Sequence, residues 1–141
     1  MTTAALEFAL PCSPEAAFAA WTEGDRVLQW WGEDGVYRTT GWSADLRPAG
    51  AWRADFEGHG ETFHAEGEYL EVERPGRLVF TWRPSWDPVS EMTLALRFTA
   101  ESGGTRLLVE QTGLASDADV ADSVEAWRQI VGWLIADLAK R

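Results

Sequence analysis

The hydrophobic period of this chain changes twice, and few folds can accommodate that. Residues 3–10 alternate, with Leu6, Phe8 and Leu10 on one face, which predicts a half-buried strand ended by Pro11. Ser13-Pro14-Glu15 then supplies a helix start: a hydroxyl cap, a proline with φ already set, and an acid at the positive end of the dipole. The spacing predicts a helix over Pro14–Thr22, with Ala17, Phe18 and Trp21 on one side and Gly24 as its breaker. Asp25 is expected to cap a second short helix running to Trp31, which Gly32 stops.

From residue 35 the period is two. Strands are expected at Val36–Ala44, Ala51–Phe56, Thr62–Glu73, Arg77–Arg83, Glu91–Thr99 and Thr105–Thr112. Arg47-Pro48-Ala49-Gly50, Gly58-His59-Gly60, Arg74-Pro75-Gly76 and Ser102-Gly103-Gly104 are turns, and Pro84, Trp86 and Pro88 mark a loop. Roughly from Asp117 to Lys140 the helical period returns, with Val120, Val124, Trp127, Val131, Leu134 and Leu138 forming one apolar stripe. Acids at its start and Lys140-Arg141 at its end suit the macrodipole. Trp133 falls off the stripe, near Ile130, and must pack on something other than the sheet. The order β-α-α-β-β-β-β-β-β-α, with two neighbouring strands free to merge, is an α+β arrangement in which an antiparallel sheet grips one helix. A length of 141 residues fits a single domain over 1–141.

Charge and composition narrow the functions. Asp and Glu number 23 against 12 Lys and Arg, a formal charge of −11, which repels phosphates and anionic lipid headgroups. Neither a nucleic acid nor a membrane is therefore an expected partner, and no apolar run approaches spanning length. No Lys or Arg precedes Arg26 and Glu7 interrupts the early apolar run, so a signal peptide is not expected and a cytoplasmic location is. Cys12 is the only cysteine, which excludes a disulfide framework. Nine tryptophans are the compositional oddity. Each ring can bury about 150–250 Å², or about 4–6 kcal/mol gross, so where they go decides much of the structure.

Catalytic signatures are scarce. Gly41-Trp42-Ser43-Ala44-Asp45 lacks the last glycine of a nucleophile elbow, and Gly58-His59-Gly60-Glu61-Thr62-Phe63 lacks the last glycine of a dinucleotide loop. His64, Glu66 and Glu68 share one strand face, an N/O set without a second histidine at ligand spacing, so neither a metal nor a cofactor is expected. If His64 points inward it is a general acid/base, with Glu66 or Asp55 as partner; Tyr37 and Tyr69 are the other proton donors. With no cationic neighbour in sequence, Cys12 reads as a packed thiol. Asp45 and Arg47 read as a turn contact, while Arg53 and Arg97 are expected to snorkel at a sheet edge.

Local sequences add a family. Ser13-Pro14-Glu15 with Phe18 and Trp21, Trp30-Trp31-Gly32, Asp45-Leu46-Arg47-Pro48-Ala49-Gly50, the run Glu71 to Trp82, Gly103-Gly104-Thr105 and Gly132-Trp133-Leu134 follow one another along nearly the whole chain. Together they resemble the START-like, birch-pollen-allergen-type helix-grip superfamily (SRPBCC), in particular the activators of the ninety-kilodalton heat-shock-protein ATPase. The resemblance implies a curved sheet around the C-terminal helix, two short helices closing one end, and an elongated cavity for an apolar or aromatic small molecule. Its departure is Ala49, where a second glycine is usual, which touches the turn geometry alone.

Trp21 and Trp31 on the helices, Trp52 and Trp82 on strands and Trp127 on the last helix are expected to face the helix–sheet gap, with Met92, Leu94 and Val131 beside them. An empty apolar void of about 300 Å³ would cost on the order of 7 kcal/mol. Total domain stability is about 5–15 kcal/mol. The gap must then be small, wet, occupied or plugged by rings, and a reduced pocket for a flat or slender ligand is expected. The expected role is non-enzymatic binding or carrying of such a molecule. Two alternatives stand beside it: a cofactor-free cyclase/aromatase using His64, Tyr37 or Tyr69, and a protein-binding module that activates a chaperone ATPase. Trp133 and Trp86 also suggest a homodimer surface.

Overall fold

The computed structural model describes residues 2–87 and 91–141. Its elements are β1 (Thr2–Leu10), α1 (Pro14–Thr22), α2 (Gly24–Trp30), β2 (Gly32–Glu33), β3 (Tyr37–Ala44), β4 (Ala51–Gly58), β5 (Glu61–Glu73), β6 (Arg77–Pro84), β7 (Met92–Glu101), β8 (Gly104–Leu114) and α3 (Asp117–Ala139). The strands form one antiparallel sheet in the order β1-β8-β7-β6-β5-β4-β3-β2, a meander whose last strand pairs with the first. It curls into a half-barrel around α3, the α+β architecture expected from the sequence. Alternation builds the inner face: Ala4, Leu6 and Leu10 of β1, Leu78, Phe80 and Trp82 of β6, and Met92, Leu94, Leu96 and Phe98 of β7 are all buried. Register shifts at Thr39/Gly41 and Tyr69/Glu71 strengthen the bend.

Ser13 caps α1 as anticipated, its hydroxyl accepting from Ala16 N at 3.2 Å. The second helix departs from expectation. Gly24 opens it instead of merely breaking α1, and Glu23 serves both helices as a backbone cap while Asp25 sits in the first turn. Gly24 can open it because the Trp42 ring lies over it: a Cβ would meet Trp42 Cδ1 at 3.1 Å. Gly32 does end α2, with φ +128°, and the two-residue β2 that follows is one strand more than periodicity shows. Pro84 closes β6 rather than opening the loop, and Pro88 lies outside the described residues.

Ser116 caps α3 by accepting from Asp119 N at 3.1 Å. No basic residue lies in the last turn; Lys140 is the cap, and Arg141 reaches back to Asp137 at 3.2 Å. Arg53 and Arg97 sit on the outer face of interior strands rather than at a sheet edge, because β4 and β7 both have neighbours on either side. Arg53 bonds Asp55 at 3.0 Å there. The Asp45–Arg47 contact forms, at 2.8 Å, on the exposed turn.

Two backbone positions have measurable consequences. Ala49 adopts φ +69°, the left-handed region in which a Cβ costs about 1–2 kcal/mol. Glycine forgoes about 0.4–1 kcal/mol through its looser unfolded state. Ala49→Gly should therefore stabilise the protein by about 0.5–1 kcal/mol in urea unfolding. Gly67 faces inward opposite Trp52, and a Cβ there would meet the Thr81 carbonyl oxygen at 2.0 Å. Gly67→Ala should destabilise by about 2–3 kcal/mol in the same assay, through forced separation of β5 from β6.

Candidate functional site

The aromatic side chains form one connected set. Trp31, at the end of α2, lies 5.5 Å from Trp30 and 6.3 Å from Trp82, nearly parallel to both, and contacts Trp21, Phe56 and Trp127. Its backbone carbonyl accepts from Thr39 N at 3.1 Å and from Thr39 Oγ1 at 2.8 Å, while its indole N–H donates to the Tyr37 hydroxyl at 3.1 Å. Local sequence produces this placement: only the positive φ of Gly32 lets the chain leave α2 and pair at once with β3.

Inward from Trp31 the gap is plugged. Trp52 stacks on Trp82 at 5.6 Å and sends its N–H to Thr81 O at 3.1 Å, an arrangement that needs the side chain missing at Gly67. Trp42 packs on Trp52 at 5.9 Å and bonds Thr22 O at 3.3 Å, so a β3 ring locks the two short helices to the sheet. Trp21, Trp42, Trp52, Tyr69 and Phe80 surround a void of only about 10 Å³, at the lower limit for a single water molecule and far below any ligand.

Outward from Trp31 the gap opens into a cavity of about 650 Å³ between the start of α3 and the ends of β4 to β8. Trp31, Phe56, Trp82, Met92, Gln111 and Trp127 make its buried floor. Tyr37 and Phe63 form a wall, and Glu61, Trp86, Asp119, Asp122 and Ala126 stand at the exposed mouth. The reduced pocket foreseen from the sequence thus describes the plugged end alone. Of the side chains expected to wall the gap, Trp31, Trp82, Met92 and Trp127 line the cavity. Trp21 and Trp52 belong to the plug, and Leu94 and Val131 are fully buried core that lines neither space.

Gln111 is the buried polar group of the floor, 3% exposed. Its Oε1 accepts from Trp127 Nε1 at 2.9 Å; an indole nitrogen is a donor only, so the amide nitrogen turns towards Met92 Sδ at 3.2 Å. A thioether is a weak acceptor, which leaves this amide with unused donor capacity beside the cavity. Sequence reasoning passed over it, although a polar residue following Thr105, Leu107 and Val109 on the inward face of β8 was a visible signal. Phe56 and Phe63, facing each other across the β4–β5 hairpin at 5.4 Å, were legible from the same alternation.

The candidate acid/base groups are not assembled. His64 lies on the outer sheet face in register with Asp55, beside the Arg53–Glu66 pair, because inward-facing Phe63 and Ala65 flank it. It therefore cannot serve the cavity. Tyr69 sits in the plug, where burial pushes its phenol up, out of reach of the open cavity. Tyr37 alone of the three lines the cavity; burial raises its pKa, partly offset by the bond from Trp31, so it keeps its proton and offers it as a donor. The Cys12 thiol is likewise pushed up by burial, with Arg26 acting the other way, and is half-buried and free. No group of three His, Cys, Asp or Glu is placed to hold a metal among the described residues.

Trp133, one of the two rings that suggested a homodimer, is covered within the chain: it meets Tyr37 edge-on at 5.2 Å and bonds Glu33 Oε1 at 2.9 Å. Trp86 stays 59% exposed, with its edge on Phe63. Trp127→Phe would keep a ring on the floor but strand Gln111 Oε1, and is expected to cost about 1–3 kcal/mol in urea unfolding. Adding Gln111→Met should recover part of that loss.

Solved structures share this fold. A Chromobacterium violaceum protein superposes with a TM-score of 0.84 at 24% identity, with 96% of each chain covered. The AHSA1 protein from Silicibacter pomeroyi gives 0.83 at 26% identity over 98% of each. DynU16, described by its place in the dynemicin biosynthetic locus, gives 0.81 at 23% identity over 97% of this chain and 47% of its own. No curated protein matches the chain in sequence. The model of the Activator of Hsp90 ATPase homolog 1-like family matches residues 11–138, nearly the whole length, and the chain belongs to that family.

Proposed function

We propose that this protein binds or carries a small apolar or aromatic molecule in the cavity beneath α3, without chemically changing it. The observation that carries this reading is the cavity itself. Its volume of about 650 Å³ lies within the range of about 300–1,000 Å³ used for small-molecule sites, and indoles from α2, β6 and α3 wall it. The Gln111 amide and the Tyr37 hydroxyl would orient the guest through an acceptor such as a carbonyl or ether oxygen. A cyclase-like reaction has less support, because a protonated Tyr37 can donate but offers no base and His64 faces outward.

Naphthalene-1-methanol, a flat neutral probe with one polar end, is expected to bind with one-to-one stoichiometry in isothermal titration. Ala126→Phe, a substitution at an exposed helix position, should fill the mouth and abolish the heat without lowering the unfolding midpoint. Unaltered binding by Ala126→Phe would place the probe elsewhere and reject this cavity as the site.

A further inference from the structure

The charge at the cavity mouth is one-sided. Glu61 from the start of β5, Asp87 beyond β6, and Asp119 and Asp122 from the first two turns of α3 all line it. Among the described residues no lysine, arginine or histidine does. Glu61, Asp119 and Asp122 also enter none of the ion pairs formed elsewhere on the surface, although nine such pairs exist among the described residues. Local structure accounts for one of these acids only: Asp119 lies in the first turn of α3, where the helix dipole favours a carboxylate. Asp122 lies a turn further on, and Glu61 is on a strand. The convergence of Glu61, Asp119 and Asp122 on one opening gives them mutual repulsion, with no ion pair among the described residues to offset it.

Below this rim the floor is lined by the indoles of Trp31, Trp82 and Trp127, and indole is the aromatic side chain that attracts a cation most strongly. A guest with a carboxylate or phosphate would meet four acids at the entrance, in a protein whose formal charge is −11. A guest with a protonated amine would meet complementary charge at the rim and an aromatic wall within.

Resting on the binding function argued above, we propose that the cavity selects a cationic guest: an aromatic or apolar molecule bearing a protonated amine, its ring system among Trp31, Trp82 and Trp127 and its ammonium between the rim carboxylates. Fatty acids and other anionic lipids are excluded by the same charges. Selection is electrostatic and lies at the mouth, so it weakens as salt screens charges separated by more than about 8–10 Å.

Three isosteric probes separate charge from shape: 1-naphthylmethylamine, naphthalene-1-methanol and 1-naphthoate, titrated calorimetrically into the intact protein at neutral pH. The amine is expected to bind about tenfold tighter than the alcohol, and the carboxylate weaker than either. Raising the salt should narrow the spread. The variant Glu61→Gln/Asp119→Asn/Asp122→Asn should bring the amine's affinity down to that of the alcohol measured with the same variant. Equal binding of all three probes, or an amine preference that survives in the variant, overturns the cationic guest and leaves the cavity-binding function standing. If the alcohol and the amine both fail to bind, the binding function falls, and the charge selection with it.

Discussion

The ring of Trp31 is the contact on which the rest of the molecule depends. It stacks between Trp30 of its own helix and Trp82 of β6 and touches Trp127 of α3; its N–H donates to Tyr37 of β3, and the Trp31 carbonyl accepts two more bonds from Thr39 of that strand. With Trp21 of α1 and Phe56 of β4 also in contact, six elements meet at one residue. Aromatic pairs contribute about 0.5–1.5 kcal/mol each beyond the area they bury, and Trp31 takes part in five of them. Such a hub fixes the angle at which α2 closes the half-barrel, and with it the height of the roof over everything behind.

The same ring divides the space between helix and sheet. Behind it, Trp21, Trp42 and Trp52 fit so closely that almost no volume remains. In front, the wall continues through Trp82 and Trp127, and small residues such as Ala126 and Ser123 of α3 line the opening. Dense packing at one end stabilises the domain and lets the other end stay open. A uniformly loose interior of the same total volume would have no such rigid backing, because each unfilled space forfeits dispersion contacts. Polar groups follow the same division, with Gln111 and Tyr37 at the cavity wall and the carboxylates at its rim.

Charge is distributed by face as well as by depth. On the outer sheet surface Arg53, Asp55 and Glu66 balance one another, and Arg77 meets Glu71 at 3.3 Å. Those contacts are exposed and individually worth little. Around the opening, by contrast, Glu61, Asp119 and Asp122 enter no ion pair among the described residues. Family membership is silent on this point, since a shared fold does not fix which molecule a cavity accepts.

Much of this was legible in the sequence because it depends on neighbours along the chain. The Ser13-Pro14 start of α1, the alternation of β6, β7 and β8, the stop at Gly32 and the stripe of α3 follow from local periodicity and local backbone rules. The family resemblance marked Ala49 as a departure touching the turn geometry, but that its φ is positive is a finding of the structure. The placement of the tryptophans was not legible. Trp52 reaches the Thr81 carbonyl only because Gly67, fifteen residues away and on another strand, sets no Cβ against that oxygen. His64 faces outward because the β4–β5 register sets Phe63 and Ala65 inward. Tryptophan can fill a core equally well from many directions, so composition says that rings are buried without saying which ones touch. The sequence alone determined all the elements but the short β2, their order and the acidic balance, since these need only local periodicity and charge. Tertiary structure alone decided which rings seal the interior and which line the opening, because that depends on side chains meeting across strands and helices far apart in the chain.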